Sequence, residues 1–188
     1  MKPLRTRITV LPGALLLAAG CATGPAAGPA PVAPKVPASL QAPAGQSVML
    51  EVLASGVQIY ECAARADQPA QWERGEWAFR APEAVLTDRA GRVIGKHYAG
   101  PTWESSDGSR VVGELQARDP GPDASAIPWL LLRAKSVTGS GVFSQVKSIQ
   151  RVATVGGVAP ALPCGSGNAQ PIARVPYTAT YYFYRGEG

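Results

Sequence analysis

The chain has 188 residues, enough for one domain with a substantial core but too few for two large ones. Charged residues make up 16% of it, and 21 glycines and 18 prolines supply many turn formers, which is typical of a β-rich exported domain and unlike a helical bundle. Three of the 18 basic residues but none of the 13 acidic ones lie in the first 20 positions, so the remainder is close to neutral and has no basic run. This balance argues against a nucleic-acid partner.

The first 20 residues have the pattern of an export signal. A short basic region precedes an apolar stretch at 8–19, which is too short to span a membrane but suits the core of a signal peptide. The sequence LAAGC at 17–21 resembles the site at which lipoprotein signal peptidase cuts before a lipidated cysteine, although the third residue before that cysteine is Ala18, where Leu is commoner. We therefore expect a signal peptide at 1–20 and lipid on Cys21. The alternative is ordinary cleavage with an unmodified Cys21.

Lipid on Cys21 would make a membrane the first partner of the chain. Several acyl chains on one residue hold a protein to a bilayer permanently, whereas one chain holds it only marginally. The residue after the cysteine is Ala22 rather than Asp, which under the usual enterobacterial sorting rule indicates the outer membrane. We expect an exported outer-membrane or cell-envelope lipoprotein that faces the periplasm or the cell surface.

A proline- and alanine-rich segment separates this cysteine from the rest of the chain. Residues 22–46 contain six prolines and almost no large apolar side chain. Such a composition buries too little surface to offset the entropy of ordering the chain. We expect residues 21–46 to form the lipidated cysteine and an extended or disordered linker, and residues 47–188 to form the folded domain.

From Ser47 onward, short apolar runs alternate with turn residues, as expected for strands. The expected strands lie at 48–53, 57–62, 72–79, 85–87, 92–98, 101–104, 110–115, 129–134, 143–154 and 177–184. Gly56 is expected to separate the first two, and the glycines of segments 88–91 and 105–109 suit hairpin turns. With no helix pattern and no alternation of strands with helices, the sequence predicts an all-β fold. We expect a single antiparallel β-barrel or β-sandwich of about 8–10 short strands.

The cysteine count predicts one disulfide bond. The chain has three cysteines, and in an oxidising compartment one is left over after pairing. If Cys21 carries lipid, then Cys62 and Cys164 remain to pair with each other. The predicted Cys62–Cys164 bond would place early and late strands side by side, which slightly favours a closed barrel.

Five segments together resemble one protein family. They are HYAGPTWESSDGSRVVGE at 97–114, IPWLLLRA at 127–134, SIQRVATVGGVAP at 148–160, Cys164, and YTATYYFY at 177–184. In this order they resemble a family of uncharacterised secreted proteins of bacteria and fungi that is catalogued as a domain of unknown function. The resemblance covers residues 37–184. It implies a self-contained exported domain with this cysteine pair, and it implies no activity, substrate or catalytic residue.

The one histidine, His97, is the first candidate for chemistry. It lies near the end of an expected strand, close in sequence to Glu104 and Asp107, and an imidazole beside a carboxylate can act as a general acid or base. The competing interpretation is a structural histidine that binds a loop backbone. No nucleophile elbow, phosphate-binding loop or dinucleotide fingerprint is found in the sequence. One histidine also cannot build a multi-imidazole metal centre, and we expect neither metal nor cofactor.

Aromatic residues are the second kind of candidate. Trp103 lies between Pro101 and an Asp-Gly turn, and with Tyr98 it is a candidate for stacking on a small molecule, a glycan or a protein partner. Three hypotheses follow. The first is a non-enzymatic binding module, the second a small extracytoplasmic hydrolase or isomerase that uses His97 with Glu104 or Asp107, and the third a purely structural role in the envelope.

Overall fold

The computed structural model describes residues 30–63, 74–165 and 172–187, and strands dominate these ranges. The strands are β1 (Gln46–Ala63), β2 (Arg74–Thr87), β3 (Val93–Tyr98), β4 (Thr102–Ser105), β5 (Arg110–Asp119), β6 (Trp129–Thr138), β7 (Val146–Gly156), β8 (Cys164–Gly165) and β9 (Ile172–Gly186). One 3-10 helix, Ala38–Leu40, precedes them. In the described ranges no helix is long and apolar enough to cross a membrane. The prediction of an all-β fold is confirmed.

Eight of the strands close into an antiparallel barrel. From β1 to β7 each strand pairs with the next one in the chain, and β9 pairs with both β7 and β1. The two-residue strand β8 pairs only with the start of β2 and lies outside the ring. Each strand of the ring pairs with a neighbour on both sides over at least part of its length, so none of them is a full edge strand.

The two ends of the barrel are named here by their connections. The closed end carries the connections at 88–92, 106–109 and 139–145, and the open end carries those at 99–101, 120–128 and 157–163. Alternate residues of each strand point into the barrel. At the closed end the inward positions are apolar, and Phe143 from the connection after β6 fills the interior against Phe183 at a ring-centroid distance of 4.7 Å.

A disulfide bond and a folded loop cover part of the open end. Cys62 near the end of β1 is bonded to Cys164 of β8, with Cα atoms 5.7 Å apart, as predicted. After β7 the chain turns through Gly156 and Gly157, both with positive φ. The Tyr60 hydroxyl donates to the Gly157 carbonyl at 2.6 Å, so this loop is held over the barrel interior.

Two of the strands each combine two segments that the sequence predicts as separate strands. The segments expected at 48–53 and 57–62 form one strand, β1, and those at 72–79 and 85–87 belong to one strand, β2, as far as Arg74 (Trp72 lies outside the described residues). Gly56 does not break β1. A Cβ atom at that position would lie only 2.0 Å from the Glu83 carbonyl oxygen of β2, so glycine permits close approach of the two strands.

The segment before β1 packs on the outside of the barrel. Leu40 is fully buried, and its carbonyl accepts a hydrogen bond from Nε2 of Gln150, whose Oε1 accepts one from the Tyr184 hydroxyl. Gln150 points outward because its neighbours Ile149 and Arg151 pair with inward residues of β9. The segment expected as a linker at 21–46 therefore joins the domain at its C-terminal part, since its helix lies against β5 and β6 and the Leu40 carbonyl binds Gln150 of β7.

Candidate functional site

The barrel wall has a gap between β2 and β5. The strands between them, β3 and β4, have six and four residues, against 14 in β2 and ten in β5. Consequently β2 pairs with β3 only over 84–87, and β5 pairs with β4 only over 110–112. Beyond the short turn at 99–101, at the open end, the remaining lengths of β2 and β5 face each other with no strand of the described chain between them.

This gap opens a cleft of about 540 Å³ into the open end of the barrel. Its apolar walls are formed by Phe79, Pro82, Trp103, Leu115, Leu130 and Leu132. Phe79 and Leu115 lie at the mouth, where about half of each side chain is exposed. A concave, mostly apolar space of this size with a few polar groups is the usual form of a small-molecule site.

His97 and Trp103 meet at the floor of the cleft because they are direct cross-strand partners on β3 and β4. Their rings stack at 4.3 Å with an interplanar angle of 12°, and the edge of Tyr181 from β9 contacts the imidazole at 5.2 Å. All three side chains are almost fully buried. The short β3–β4 hairpin thus places an imidazole and an indole side by side in the barrel interior.

The charge state of His97 follows from its surroundings. Its Nδ1 lies 2.8 Å from the Thr102 carbonyl, which can only accept, so Nδ1 carries a proton. The pKa of His97 is lowered to about 3, mainly by burial; the Thr102 hydrogen bond opposes this shift, and the positive charge of Arg151 contributes to it. At neutral pH the ring is therefore uncharged, with a lone pair on Nε2.

Glu104 and Tyr98 lie on the opposite side of the sheet from His97. They occupy the next positions along β4 and β3, and successive side chains point to opposite faces. Glu104 accepts a hydrogen bond from the Tyr98 hydroxyl at 2.6 Å and contacts Lys96 and Arg110 at 3.2 and 3.3 Å. Hydrogen bonds from Tyr98 and Lys96 lower the pKa of this carboxyl. The two residues form an outer surface cluster, apart from the cleft.

Asp107 organises a turn at the closed end. Its carboxylate accepts hydrogen bonds from the backbone N–H and hydroxyl of Ser109 at 2.8 and 2.6 Å, and from the Val142 N–H at 2.7 Å. These bonds lower the pKa of Asp107 to about 2. The structure therefore brings His97 and Trp103 together but places Tyr98, Glu104 and Asp107 elsewhere. Neither acid of the hypothetical catalytic pair forms a hydrogen bond with the imidazole.

A group of polar side chains lies deeper in the barrel, next to the cleft. Gln58 of β1, Arg151 of β7 and Tyr177 and Tyr181 of β9 point inward there. Arg151 donates from Nε and Nη2 to the Pro128 carbonyl at 3.1 and 2.8 Å. It immediately precedes a bulge in β7 in which Ala153 has φ +48°, a strained conformation of the kind that is common beside functional sites.

The family model described as "Protein of unknown function (DUF3455)" matches residues 43–185. The chain belongs to the DUF3455 family. The expected membership of a family of unknown function is thereby confirmed over residues 43–184. No curated protein and no solved structure matches the chain. The DUF3455 match spans all nine strands except the last residue of β9, and it leaves out the helix that carries Leu40.

Sequence reasoning missed the inward polar group of this DUF3455 domain. Arg151 follows Ile149 by two residues and therefore shares its face of β7, so an alternation count could have placed a charge inside the barrel. The same alternation along β1 could have placed Gln58 inside the barrel. In the described part of the chain no three His, Cys, Asp or Glu side chains come together as a metal site would require.

Proposed function

We infer that this DUF3455 domain is a binding module that takes a small molecule with an aromatic or aliphatic body into the cleft between β2 and β5. The observation that carries the proposal is the stacked His97–Trp103 pair on the floor of a cleft of about 540 Å³ with apolar walls. The two stacked rings are almost fully buried, so they form a rigid, preformed floor, and the apolar side chains of the walls supply most of the contact area for a ligand. A concave space of this kind suits a small molecule better than a flat protein surface.

Binding fits the site better than catalysis does. A general base needs a suitable pKa and a partner that orients it. His97 is oriented by a backbone carbonyl rather than by an acid, and burial moves its pKa far below neutrality. Its neutral Nε2 instead offers a hydrogen-bond acceptor to a ligand. The acids considered for catalysis, Glu104 and Asp107, are engaged on the outer face and in a turn.

The neutral fluorophore N-phenyl-1-naphthylamine tests the proposal, because its emission rises in an apolar site. We expect saturable binding to the purified protein and loss of binding in Leu115→Trp, which places a larger side chain at the mouth. Leu162→Trp is the matched control, since Leu162 is 76% exposed and away from the cleft. Saturable binding that persists unchanged in Leu115→Trp, or no binding at all, would contradict the proposal.

The proposal also includes an envelope address. The signal pattern at 1–20 and the LAAGC sequence ending at Cys21 support export and lipidation. The disulfide between Cys62 and Cys164 agrees with an oxidising compartment. In this proposal the lipid on Cys21 holds the domain to the outer membrane or another envelope membrane, with the barrel facing the periplasm or the cell surface.

Mass spectrometry of the mature N-terminus tests the address. We expect a diacylglyceryl-modified Cys21 as the first residue and recovery of the protein with the membrane fraction. Cys21→Ser should give a protein without lipid that leaves that fraction. A mature chain that begins elsewhere, or a wild-type protein that is recovered free of membranes, counts against lipidation.

A further inference from the structure

The interior of the open end contains buried polar atoms without partners. Four such atoms, each in a side chain that is almost fully buried, form no hydrogen bond of good geometry with the described residues. They are Nε2 of Gln58, Nε1 of Trp103, and the hydroxyl groups of Tyr177 and Tyr181. Buried polar groups are almost always satisfied in native proteins, so a cluster of exceptions calls for a ligand or ordered water.

These atoms are neighbours rather than scattered exceptions. Tyr177 lies between Gln58 and Tyr181, and both affect its pKa, which burial raises far above the ordinary value. Tyr181 in turn lies beside Arg151, whose charge opposes the rise that burial causes in the pKa of the tyrosine. Tyr181 and Trp103 also line the cleft. The row of polar groups therefore continues from the barrel interior to the space that a ligand would enter.

The row is rich in hydrogen-bond donors. An amide NH₂, an indole N–H and a guanidinium can only donate, and a hydroxyl can donate as well as accept. The neutral Nε2 of His97 is an acceptor there. Among the described residues that line the cleft, the one carboxylate is that of Glu114, which forms an ion pair with Arg133. The donors of this row thus have few acceptors among the described residues.

The cations of the cleft point to the same chemistry. Arg80 is paired with Glu61, but Arg151 and Lys135 form no ion pair with any carboxylate of the described residues. An arginine inside a barrel is costly unless an anion or several acceptors accompany it. Arg151 has the Pro128 carbonyl and, with poorer geometry, the Tyr181 hydroxyl as hydrogen-bond partners, and neither of these is an anion.

We propose that the ligand of this cleft is an amphipathic anion, with a carboxylate or similar oxyanion that binds the donors of Tyr181, Trp103 and Arg151. Its apolar body then lies between Phe79, Leu115 and Leu130, and Lys135 adds a positive charge at the rim. The oxyanion supplies the acceptors that the interior lacks, which accounts for both the unpaired donors and the inward arginine. This inference rests on the proposed binding function and names the class of ligand.

A matched pair of probes tests the ligand class. N-phenyl-1-naphthylamine is neutral, and 1-anilinonaphthalene-8-sulfonate is the same molecule with one sulfonate group. We expect the sulfonate to bind about tenfold more tightly than the neutral probe, since a charge-assisted hydrogen bond is worth about that much. Leu115→Trp should abolish binding of both, which places them in the cleft.

Variants of the cations complete the test. Lys135→Gln should weaken binding of the sulfonate a few-fold and Arg151→Gln about tenfold, and each should weaken the neutral probe less than the sulfonate. Lys147→Gln, at an exposed position of β7 that does not line the cleft, is the matched control and should affect neither probe. Lys135 is exposed, so its variant stays informative if Arg151→Gln fails to fold. Equal affinities for the two probes would overturn the ligand class and leave the binding function standing. Binding of neither probe would overturn both.

Discussion

The two ends of the barrel interior are built from the same strands but differ in chemistry. At the closed end, Ile149 of β7 and Phe183 of β9 are fully buried among apolar neighbours. Two residues further towards the open end, the same strands place Arg151 and Tyr181 inside, beside unpaired polar atoms. Proteins tolerate such departures from good packing mainly at functional sites. The closed end therefore supplies stability, and the open end carries the candidate site.

The ends also differ in how they are held. Packing around Phe143 closes one end, whereas the other depends on the Cys62–Cys164 bond and on a loop fixed by Tyr60. Gly75 of β2 lies against the disulfide, because a Cβ there would be 2.8 and 2.9 Å from the two sulfur atoms. Because packing stabilises one end and a cross-link stabilises the other, mutations at the two ends should affect stability differently.

Phe183→Ala is expected to have the largest effect. It removes a fully buried ring and leaves a cavity beside Phe143 and Trp103, at a cost of about 3–5 kcal/mol in the free energy of unfolding. Phe79→Ala makes the same change at a half-exposed position at the mouth of the cleft and should cost less than about 1 kcal/mol. Urea denaturation measures both, and similar losses would show that the ends do not differ in packing.

Removal of the disulfide is the next largest change. In Cys62→Ala with Cys164→Ala, the free energy of unfolding should fall by about 2–5 kcal/mol, since the bond closes a loop across 102 residues. We expect hydrogen exchange to rise first in the amides of the open end, with the closed end still protected. A uniform rise along β1 and β9 would show that the bond stabilises the whole barrel rather than one end.

Acidification should destabilise the protein through His97. The pKa of His97 is about 3 in the folded protein and about 6.5 in the unfolded chain, so between these values the unfolded chain binds a proton that the native state does not. Stability should therefore fall as the pH falls below about 6.5, by up to about 1.4 kcal/mol per pH unit. Denaturation between pH 7 and 5 measures this slope. His97→Gln should flatten it, and an unchanged slope in that variant would assign it to other groups.

The smallest expected effect compares two buried hydroxyl groups at the open end, one without a good hydrogen bond and one with a partner. Tyr181→Phe removes a buried hydroxyl that has no good hydrogen bond with the described residues, so stability should be unchanged or rise by up to about 1 kcal/mol. Tyr60→Phe removes a hydroxyl that donates to Gly157, and should cost about 1 kcal/mol. Thermal unfolding compares them. A clear loss in Tyr181→Phe would mean that its hydroxyl is satisfied.

The sequence predicted the fold better than the site. Alternating apolar residues and turn glycines indicate strands wherever they occur, and the cysteine count predicted the bond between Cys62 and Cys164. The prediction that Gly56 separates two strands was wrong, because glycine is needed there for close approach to the Glu83 carbonyl of another strand. The packing of Leu40 was missed for the same reason. One leucine in a proline-rich segment does not indicate burial until the position of Gln150 is known.

For the site, closeness in sequence was a poor guide. His97 and Glu104 are only a hairpin apart, yet strand alternation separates them, whereas His97 and Tyr181 meet across the barrel interior. The cross-strand register that pairs His97 with Trp103 depends on the length of the turn at 99–101. The sequence indicated a turn there but did not determine its length. Long-range neighbours such as Arg151 require knowledge of how the ring closes.

Ring closure has a consequence for the order of events during synthesis. The first strand to emerge, β1, is the longest, and it pairs over most of its length with the last strand, β9. Until Ile172–Gly186 has been made, β1 and β7 each present an unpaired border to other chains. A premature stop anywhere before β9 would therefore yield an aggregation-prone fragment rather than a smaller folded domain. The need for chaperones should be greatest just before β9 is synthesised.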